Sequence, residues 1–238
     1  MNKQEISFNL IIDESGDTTN LKDTPLNRAV GALIFFQNYT NLENDFLQFI
    51  NSKPSLKHVI DNKPHDLKFE TLNKQQNSEE LFELILNFLI EKGCKFYWHP
   101  IKEQNKRHQK KENGIRFPKL VESCNLDILP NLIIRLKADG NKIDKINLYC
   151  DNGTYNPTNK QESVSFYINE NLFNYYEPIG EHYKIPLKYV KKKGLHWCAD
   201  IIVGISRKNF NLNYLDYSKA YQLLLNNKFT DIVDNEYT

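Results

Sequence analysis

Short apolar runs alternate along the chain with longer segments whose apolar residues recur at helical spacing. The short runs predict β-strands, because continuous or alternating apolar positions fit a pleated, buried surface. These predicted strands span residues 8–13, 28–37, 94–101, 143–150 and 183–190. The segments with apolar residues three or four positions apart predict helices. These predicted helices span residues 41–51, 78–92, 117–137, 161–173, 194–208 and 214–226.

Local signals refine the ends of these elements. Ser78 is a predicted N-cap, and Gly93 ends the helix that follows it. Pro130 predicts a kink or break within its helix, because proline removes a backbone donor. Pro186 favours an edge position for the strand around it for the same reason.

Three segments lie between the regular patterns. Residues 52–65 contain two prolines and predict irregular structure, whereas the short alternating segment 66–72 predicts a strand edge. Residues 102–116 are polar, strongly basic and without period. No repeat or linker interrupts the chain, so we expect one α/β domain over residues 1–238.

Charge is nearly balanced, with 31 Lys and Arg against 30 Asp and Glu. This excludes a global basic field, so a role on nucleic acid requires a local basic patch. No apolar stretch reaches the length of a membrane span and residues 1–5 lack a signal-peptide pattern, so we expect no membrane partner and a cytoplasmic protein. The four cysteines form no Cys-x-x-Cys pair, which predicts reduced, buried thiols and no structural zinc.

Acidic residues follow the first predicted strand, at the end where open sheets place their ligand sites. Residues 11–17 read Ile-Ile-Asp-Glu-Ser-Gly-Asp. Packing gives no reason for a carboxylate directly after the apolar run, so Asp13 indicates a site for a divalent cation. Strand alternation points Glu14 the opposite way, which leaves it a secondary ligand candidate. Gly16 and Asp17 are typical of a turn.

A second acid, Asp151, ends the predicted strand 143–150. If the two strands are parallel neighbours, Asp13 and Asp151 converge above one edge of the sheet. Carboxylate oxygens in that arrangement suit one or two Mg²⁺ or Mn²⁺ ions. The sequence Asp-Asn-Gly from 151 to 153 is also typical of a turn, so a structural interpretation of Asp151 stays open.

A third acid, Asp200, lies in a predicted helix that is apolar on nearly all faces. Such a helix is buried, and a buried carboxylate is costly unless it is paired or bound to metal. His196 lies one turn before Asp200, and Gly204 one turn after it allows a close approach to the sheet. The structural alternative is a carboxylate bonded to a buried base or to a backbone amide.

Weaker signals surround these three aspartates. Glu70 and Lys68 lie in a short mixed-charge segment, which a strand edge explains equally well. Lys191, Lys192 and Lys193 directly precede the Asp200 helix and are candidates for binding phosphate groups, as is the basic segment 102–116. Solvated surface loops explain both basic runs as well.

Two motifs resemble the bacterial family known as domain of unknown function 3800. One is Ile-Asp-Glu-Ser-Gly at residues 12–16, and the other is the late helix from Gly194 to Gly204. The helix has one residue more between Leu195 and Ala199 than the family pattern, with His196 or Trp197 near its usual Gln. The segment around Glu70 and the position of Asp151 are also similar to the family. The resemblance spans nearly the whole chain.

This resemblance implies a ribonuclease H-like mixed sheet flanked by helices, and a metal-dependent nuclease of bacterial defence or mobile elements. With the residues above, it predicts two-metal phosphodiester hydrolysis of RNA or DNA. The residues expected in catalysis are Asp13, Glu70, Asp151, His196 and Asp200. The expected ligands of Mg²⁺ or Mn²⁺ are Asp13, Glu14, Asp151 and Asp200. The residues expected to bind nucleic acid are Lys68, Lys191, Lys192 and Lys193. An inactive module that binds nucleic acid or protein on the same fold is the alternative, and a protein partner or homo-oligomer stays open.

Overall fold

A computed structural model describes residues 5–15, 29–62, 67–100, 129–151, 187–190, 194–209 and 217–229. Within these residues, five strands form one sheet in the order β3-β2-β1-β4-β5. The strands are β1 (Glu5–Ser15), β2 (Ala29–Phe35), β3 (Lys95–Pro100), β4 (Lys142–Asp151) and β5 (Leu187–Val190). The helices are α1 (Tyr39–Ser52), α2 (Pro54–Asn62), α3 (Phe69–Asn73), α4 (Ser78–Glu91), α5 (Leu129–Ala138), α6 (Leu195–Asn209) and α7 (Lys219–Asn226).

Strand β1 lies at the centre of the sheet. It runs antiparallel to β2 and parallel to β4, and Ile11 pairs with Leu33 on one side and Tyr149 on the other. Strand β3 is antiparallel to β2, and β5 is parallel to β4. The sheet is therefore mixed, and β1 delivers its carboxyl end between two neighbours.

Helices cover both faces of the sheet. Ile11, Leu33 and Tyr149 belong to one apolar cluster with residues of α1, α4 and α6. The alternate positions of β1, including Leu10 and Ile12, are fully buried on the other face, where α5 packs against β4. This arrangement confirms the predicted α/β fold class, with a mixed sheet flanked by helices.

Most elements agree with the sequence patterns to within a few residues, but two segments differ. Residues 54–62 form α2 rather than irregular structure, because Pro54 occupies the first helical position, where its missing N–H is not needed. Leu56 and Val59 then bury one face of that helix. Residues 69–73 form α3 rather than a strand edge. The predictions for residues 102–128 and 161–173 lie outside the described residues.

The buried cysteines behave as predicted where they are described. Cys94 and Cys198 are buried and free, and burial raises the pKa of Cys94 to about 12. The Cys94 thiol is therefore protonated and unreactive at neutral pH. As for the membrane, no helix in the described parts of the chain has both the length and the apolar character of a span.

Helix α3 packs against α6 at Gly204. A Cβ atom at Gly204 would overlap the ring of Phe69, so the absence of a side chain is what admits that ring. The Phe69 ring also stacks on Phe82 of α4, with 5.3 Å between ring centroids. Gly204 therefore sets the distance between α6 and the short helix beside it.

Replacing Gly204 by Ala should destabilise the protein by about 1–3 kcal/mol, because the added methyl group collides with Phe69. The loss should appear in urea unfolding even though alanine favours helix more than glycine does. In a double-mutant cycle with Phe69→Ala, the penalty should largely disappear, since the colliding ring is gone. A neutral or stabilising Gly204→Ala in the wild-type background would contradict this packing.

Candidate functional site

Asp13 lies near the carboxyl end of central strand β1 and is 7 % exposed. Its partner in β2 is Gly31, which has no side chain. A Cβ atom at Gly31 would lie 3.1 Å from Val203 Cβ, so α6 approaches the sheet closely at this point. Because paired residues of neighbouring strands share a face, the Asp13 carboxylate lies on the face that α6 covers.

His196 lies in the first turn of α6 and faces Asp13. Its Nδ1 is 3.8 Å from Asp13 Oδ2, and the two side chains are 2 % and 10 % exposed. This distance allows an ion pair when the imidazole is protonated but exceeds that of a direct hydrogen bond. The structure therefore brings together two of the predicted site residues in a largely water-excluded position.

Asp200 lies one turn after His196 and is half-buried. Its Oδ2 accepts a hydrogen bond of 2.6 Å from the Phe69 backbone N–H, at the start of α3. The residue before that helix, Lys68, makes no side-chain capping bond. Asp200 thus satisfies a backbone donor that the helix leaves open. Here the structural alternative for Asp200, a bond to a backbone amide, is observed.

Asp151 is the last residue of β4, next to β1 in the parallel direction. The register pairs Ile11 with Tyr149, so two residues further along both strands Asp13 and Asp151 come level. The side chain of Asp151 lies outside the described part of the structure. The predicted convergence of the two strand ends therefore holds for their backbones.

The weaker candidates have different positions. Glu70 is exposed in the first turn of α3, directly after Phe69, and Lys68 is half-buried before it. The backbone of Glu14 pairs with Val30 in β2, and the side chain of Glu14 lies outside the described part of the structure. Residues 191–193, with their three lysines, also lie outside it. The structure thus brings Lys68 and Glu70 next to the bond that Asp200 makes.

The sequence patterns missed a buried polar group on the same face of the sheet. Asn147 Nδ2 donates to Asn9 Oδ1 at 3.0 Å, and Asn9 Nδ2 donates to the Gln37 carbonyl oxygen at 2.7 Å. The Tyr149 hydroxyl donates to the same Asn9 oxygen at 3.4 Å. The alternation of side chains along a strand could have revealed this group. Asn9 lies four residues before Asp13, and Asn147 lies four before Asp151, so each asparagine is on the same side of its strand as the acid.

A second missed residue, Glu43 of α1, lies against the start of α6. Its Oε1 accepts a hydrogen bond of 3.2 Å from the Tyr39 hydroxyl, and the Tyr39 ring stacks on Tyr149 at 4.5 Å. A Cβ atom at Gly194, whose φ is +60°, would overlap the Glu43 carboxylate. Burial and then the nearby charge of Glu43 raise the pKa of Tyr39 well above its usual range, so the phenol remains a donor. Glu43 therefore places negative charge at the positive end of α6.

The described side chains include no group of three or more His, Cys, Asp and Glu residues placed to hold a metal ion. Of the predicted metal ligands, the structure describes the side chains of Asp13 and Asp200. The oxygen donors of Asp13 and Asp200 are of the kind that Mg²⁺ and Mn²⁺ prefer. The chemistry of the donors therefore fits a hard cation.

No family model matches the chain, and no curated protein is significantly similar to it. Membership of the domain of unknown function 3800 family is therefore not confirmed. Among solved structures, the ribonuclease H2 from Pyrococcus horikoshii OT3 is 15% identical with a TM-score of 0.42, over 84% of this chain and 72% of that one. The ribonuclease HII from Archaeoglobus fulgidus, solved in complex with PCNA, is 14% identical with a TM-score of 0.40, over 85% and 72%. Likeness at this level supports no conclusion about the family or the activity of this chain.

Replacing Asp200 by Ala should lower the free energy of unfolding by about 1–2 kcal/mol, because the Phe69 N–H loses its acceptor. Asp200→Asn should cost less, since the amide oxygen accepts the same hydrogen bond. Chemical denaturation of both variants and the wild-type protein measures the difference. Equal stability of Asp200→Ala and the wild-type protein would show that the bond to Phe69 contributes nothing.

Proposed function

We propose that the protein is a metal-dependent phosphodiesterase that cleaves RNA or DNA. The observation that carries this proposal is the placement of Asp13. It is a buried carboxylate at the end of the central strand, level with the backbone of Asp151 on the adjacent parallel strand. Open α/β sheets place their ligands outside the carboxyl ends of such strands.

Burial makes the Asp13 carboxylate costly, and this favours a positive partner. Removing a carboxylate from water costs several kcal/mol or more unless positive charge or hydrogen-bond donors replace the water. His196, whose Nδ1 is 3.8 Å from Asp13 Oδ2, supplies part of the positive charge, but only in its protonated form. A divalent cation would supply positive charge at every pH at which the Asp13 carboxylate is ionised.

In this proposal Asp13, Asp151 and Asp200 hold one or two Mg²⁺ or Mn²⁺ ions, with Glu14 or Glu70 completing the set. The bond from the Phe69 N–H does not prevent this role of Asp200, because an ionised carboxylate has about four acceptor positions. When bound, such a cation supplies an activated water and stabilises the leaving oxygen. The acids would therefore bind the cation and orient the water that it activates, and the reaction would need no covalent nucleophile.

The other residues act around these acids. His196 would orient water or move a proton at Nδ1, the nitrogen that faces Asp13. Its burial keeps bulk water away from that nitrogen, which strengthens each electrostatic interaction there. Lys68 and Lys191–Lys193 would hold the phosphate backbone. The family proposed from the motifs, domain of unknown function 3800, is consistent with this chemistry.

Cleavage of labelled oligonucleotides tests the proposal. Single-stranded RNA, single-stranded DNA and an RNA–DNA hybrid are each incubated with Mg²⁺ or Mn²⁺. Asp13→Asn and Asp151→Asn should each lower the cleavage rate by at least about a hundredfold, because the several kcal/mol that a bound cation supplies are lost. Asp61→Asn, an exposed control on α2, should leave the rate unchanged. Full activity in both strand-end variants would overturn the assignment.

A second candidate is a non-catalytic module that binds nucleic acid. The hydrogen bond from the Phe69 N–H favours it, because that bond gives Asp200 a structural use without any cation. This alternative predicts salt-dependent binding of oligonucleotides in EDTA and no hydrolysis with any divalent ion. Cleavage that requires Asp13 excludes it.

A further inference from the structure

Two asparagines face each other in the middle of the sheet, among apolar residues. Asn9 of β1 and Asn147 of β4 are direct partners in the parallel pairing, and the two residues are 6 % and 9 % exposed. Asn147 Nδ2 donates to Asn9 Oδ1 at 3.0 Å, and Asn9 Nδ2 donates to the Gln37 carbonyl oxygen, just beyond the end of β2. Asn9 therefore connects the central strand to the chain on both of its sides.

Stability alone does not account for this pair. Asn147 Oδ1 is buried and accepts no hydrogen bond from any described residue. A buried polar atom without a partner destabilises a fold, and two apolar residues in place of a hydrogen-bonded pair are often no less stable. A buried polar pair can supply specificity, because it selects one arrangement among several that apolar residues allow.

The pairing between β1 and β4 changes just before the two asparagines. Ile6 pairs with Ile143 but Ser7 pairs with Lys145, so β4 contains one extra residue, Asp144. A bulge of this kind displaces every later pair by one position. If the first register continued, position 9 would meet position 146, and position 13 would be level with position 150. The register after the bulge is therefore the one that brings the acid of β4 level with the acid of β1.

Apolar packing does not distinguish the observed register from one shifted by two residues. Side chains alternate between the faces of a strand, so a shift by two keeps each residue on its own face. Phe8, Leu10, Ile146 and Leu148 are buried on one face and would meet apolar partners in either register. The same shift would separate the two asparagines and leave both buried without their mutual hydrogen bond. The pair therefore disfavours the registers that the apolar residues permit.

We propose that Asn9 and Asn147 fix the register of β1 and β4 and thereby keep Asp13 and Asp151 level at the proposed cation site. This inference rests on the proposed function. The asparagines are positioning residues, because each lies four residues before its acid, or about 13 Å along the strand.

The dimensions of a strand and of a cation site show why the register matters. A strand rises about 3.3 Å per residue, so a shift by two residues moves one acid past the other by about 6.6 Å. Two oxygens that bind one cation at about 2.0–2.4 Å are no more than about 5 Å apart. A shifted register would therefore remove one of the two strand-end acids from the cation.

The first measurement reports the register in EDTA, without any cation or activity. Asn9→Val/Asn147→Val replaces both side chains by strand-forming apolar residues. Backbone NOEs between β1 and β4 should then show a shifted register, alongside the original one or in place of it. Asn9→Ala/Asn147→Ala, which cannot overfill the core, should show the same shift. The matched control Asn209→Leu removes a buried asparagine at the end of α6 and should keep the wild-type register even where it lowers stability.

The second measurement is the affinity for Mn²⁺, followed by the electron paramagnetic resonance of the free ion. Both double variants should bind Mn²⁺ about ten to a hundred times more weakly than the wild-type protein, because residues that orient metal ligands have effects of this size. The Asn209→Leu protein should bind Mn²⁺ as the wild-type protein does.

The two measurements separate this inference from the proposed function. A shifted register with weaker Mn²⁺ binding in the double variants supports the positioning role. The wild-type register in both double variants, or a shifted register in Asn209→Leu, overturns it. A shifted register with undiminished Mn²⁺ binding also overturns it, because the acids then need no fixed register.

Two further outcomes are also decisive. If even the wild-type protein binds no Mn²⁺, the proposed function fails, and the NOEs alone decide whether the asparagines fix the register. If neither double variant folds while Asn209→Leu does, the pair is required for folding itself, and the inference is overturned.

Discussion

The close contact between α6 and the central strands is the constraint on which the rest of the site depends. It is possible because β2 presents Gly31, without a side chain, directly opposite Asp13. The same contact buries Asp13 beneath α6 and brings His196 to within ion-pair distance. A larger residue at 31 would move the helix away from the sheet, and with it both His196 and Asp200. The packing of α6 against Gly31 thus determines the distance between the charged groups of Asp13 and His196.

Helix α6 in turn organises α3. Asp200 bonds to the first N–H of that helix, and Gly204 receives its aromatic ring. Glu43 and Tyr39 hold the other end of α6 from α1, against Gly194. The helix that carries His196 and Asp200 is therefore fixed along its length by polar and apolar contacts. Such support is what a preorganised site needs, because its side chains must keep their positions when a charged ligand binds.

Periodicity predicted the five strands. The mixed sheet was implied by the family resemblance, and the parallel pairing of the strands that carry Asp13 and Asp151 was a condition that the structure meets. Periodicity did not predict α3, a five-residue helix whose first N–H bonds to Asp200, a residue 131 positions later in the chain. It also missed Glu43, whose importance comes from Gly194, 151 positions later in the chain. Asp13 and Asp200 could be singled out from the sequence because a carboxylate within an apolar segment is costly to bury. The hydrogen bonds among Asn9, Asn147 and Tyr149 depend on strand pairing, which fixes which residues meet.

The central claim is that the acids at the ends of β1 and β4 bind a divalent cation together. A crystal of the wild-type protein grown with Mn²⁺ tests it directly through the anomalous signal of the metal. We expect a peak within about 2.0–2.4 Å of carboxylate oxygens of both Asp13 and Asp151. The peak should be absent from crystals of Asp13→Asn grown in the same way. A structure with no peak at these residues, or with their carboxylates on different faces of the sheet, would show that the two acids do not bind a cation together.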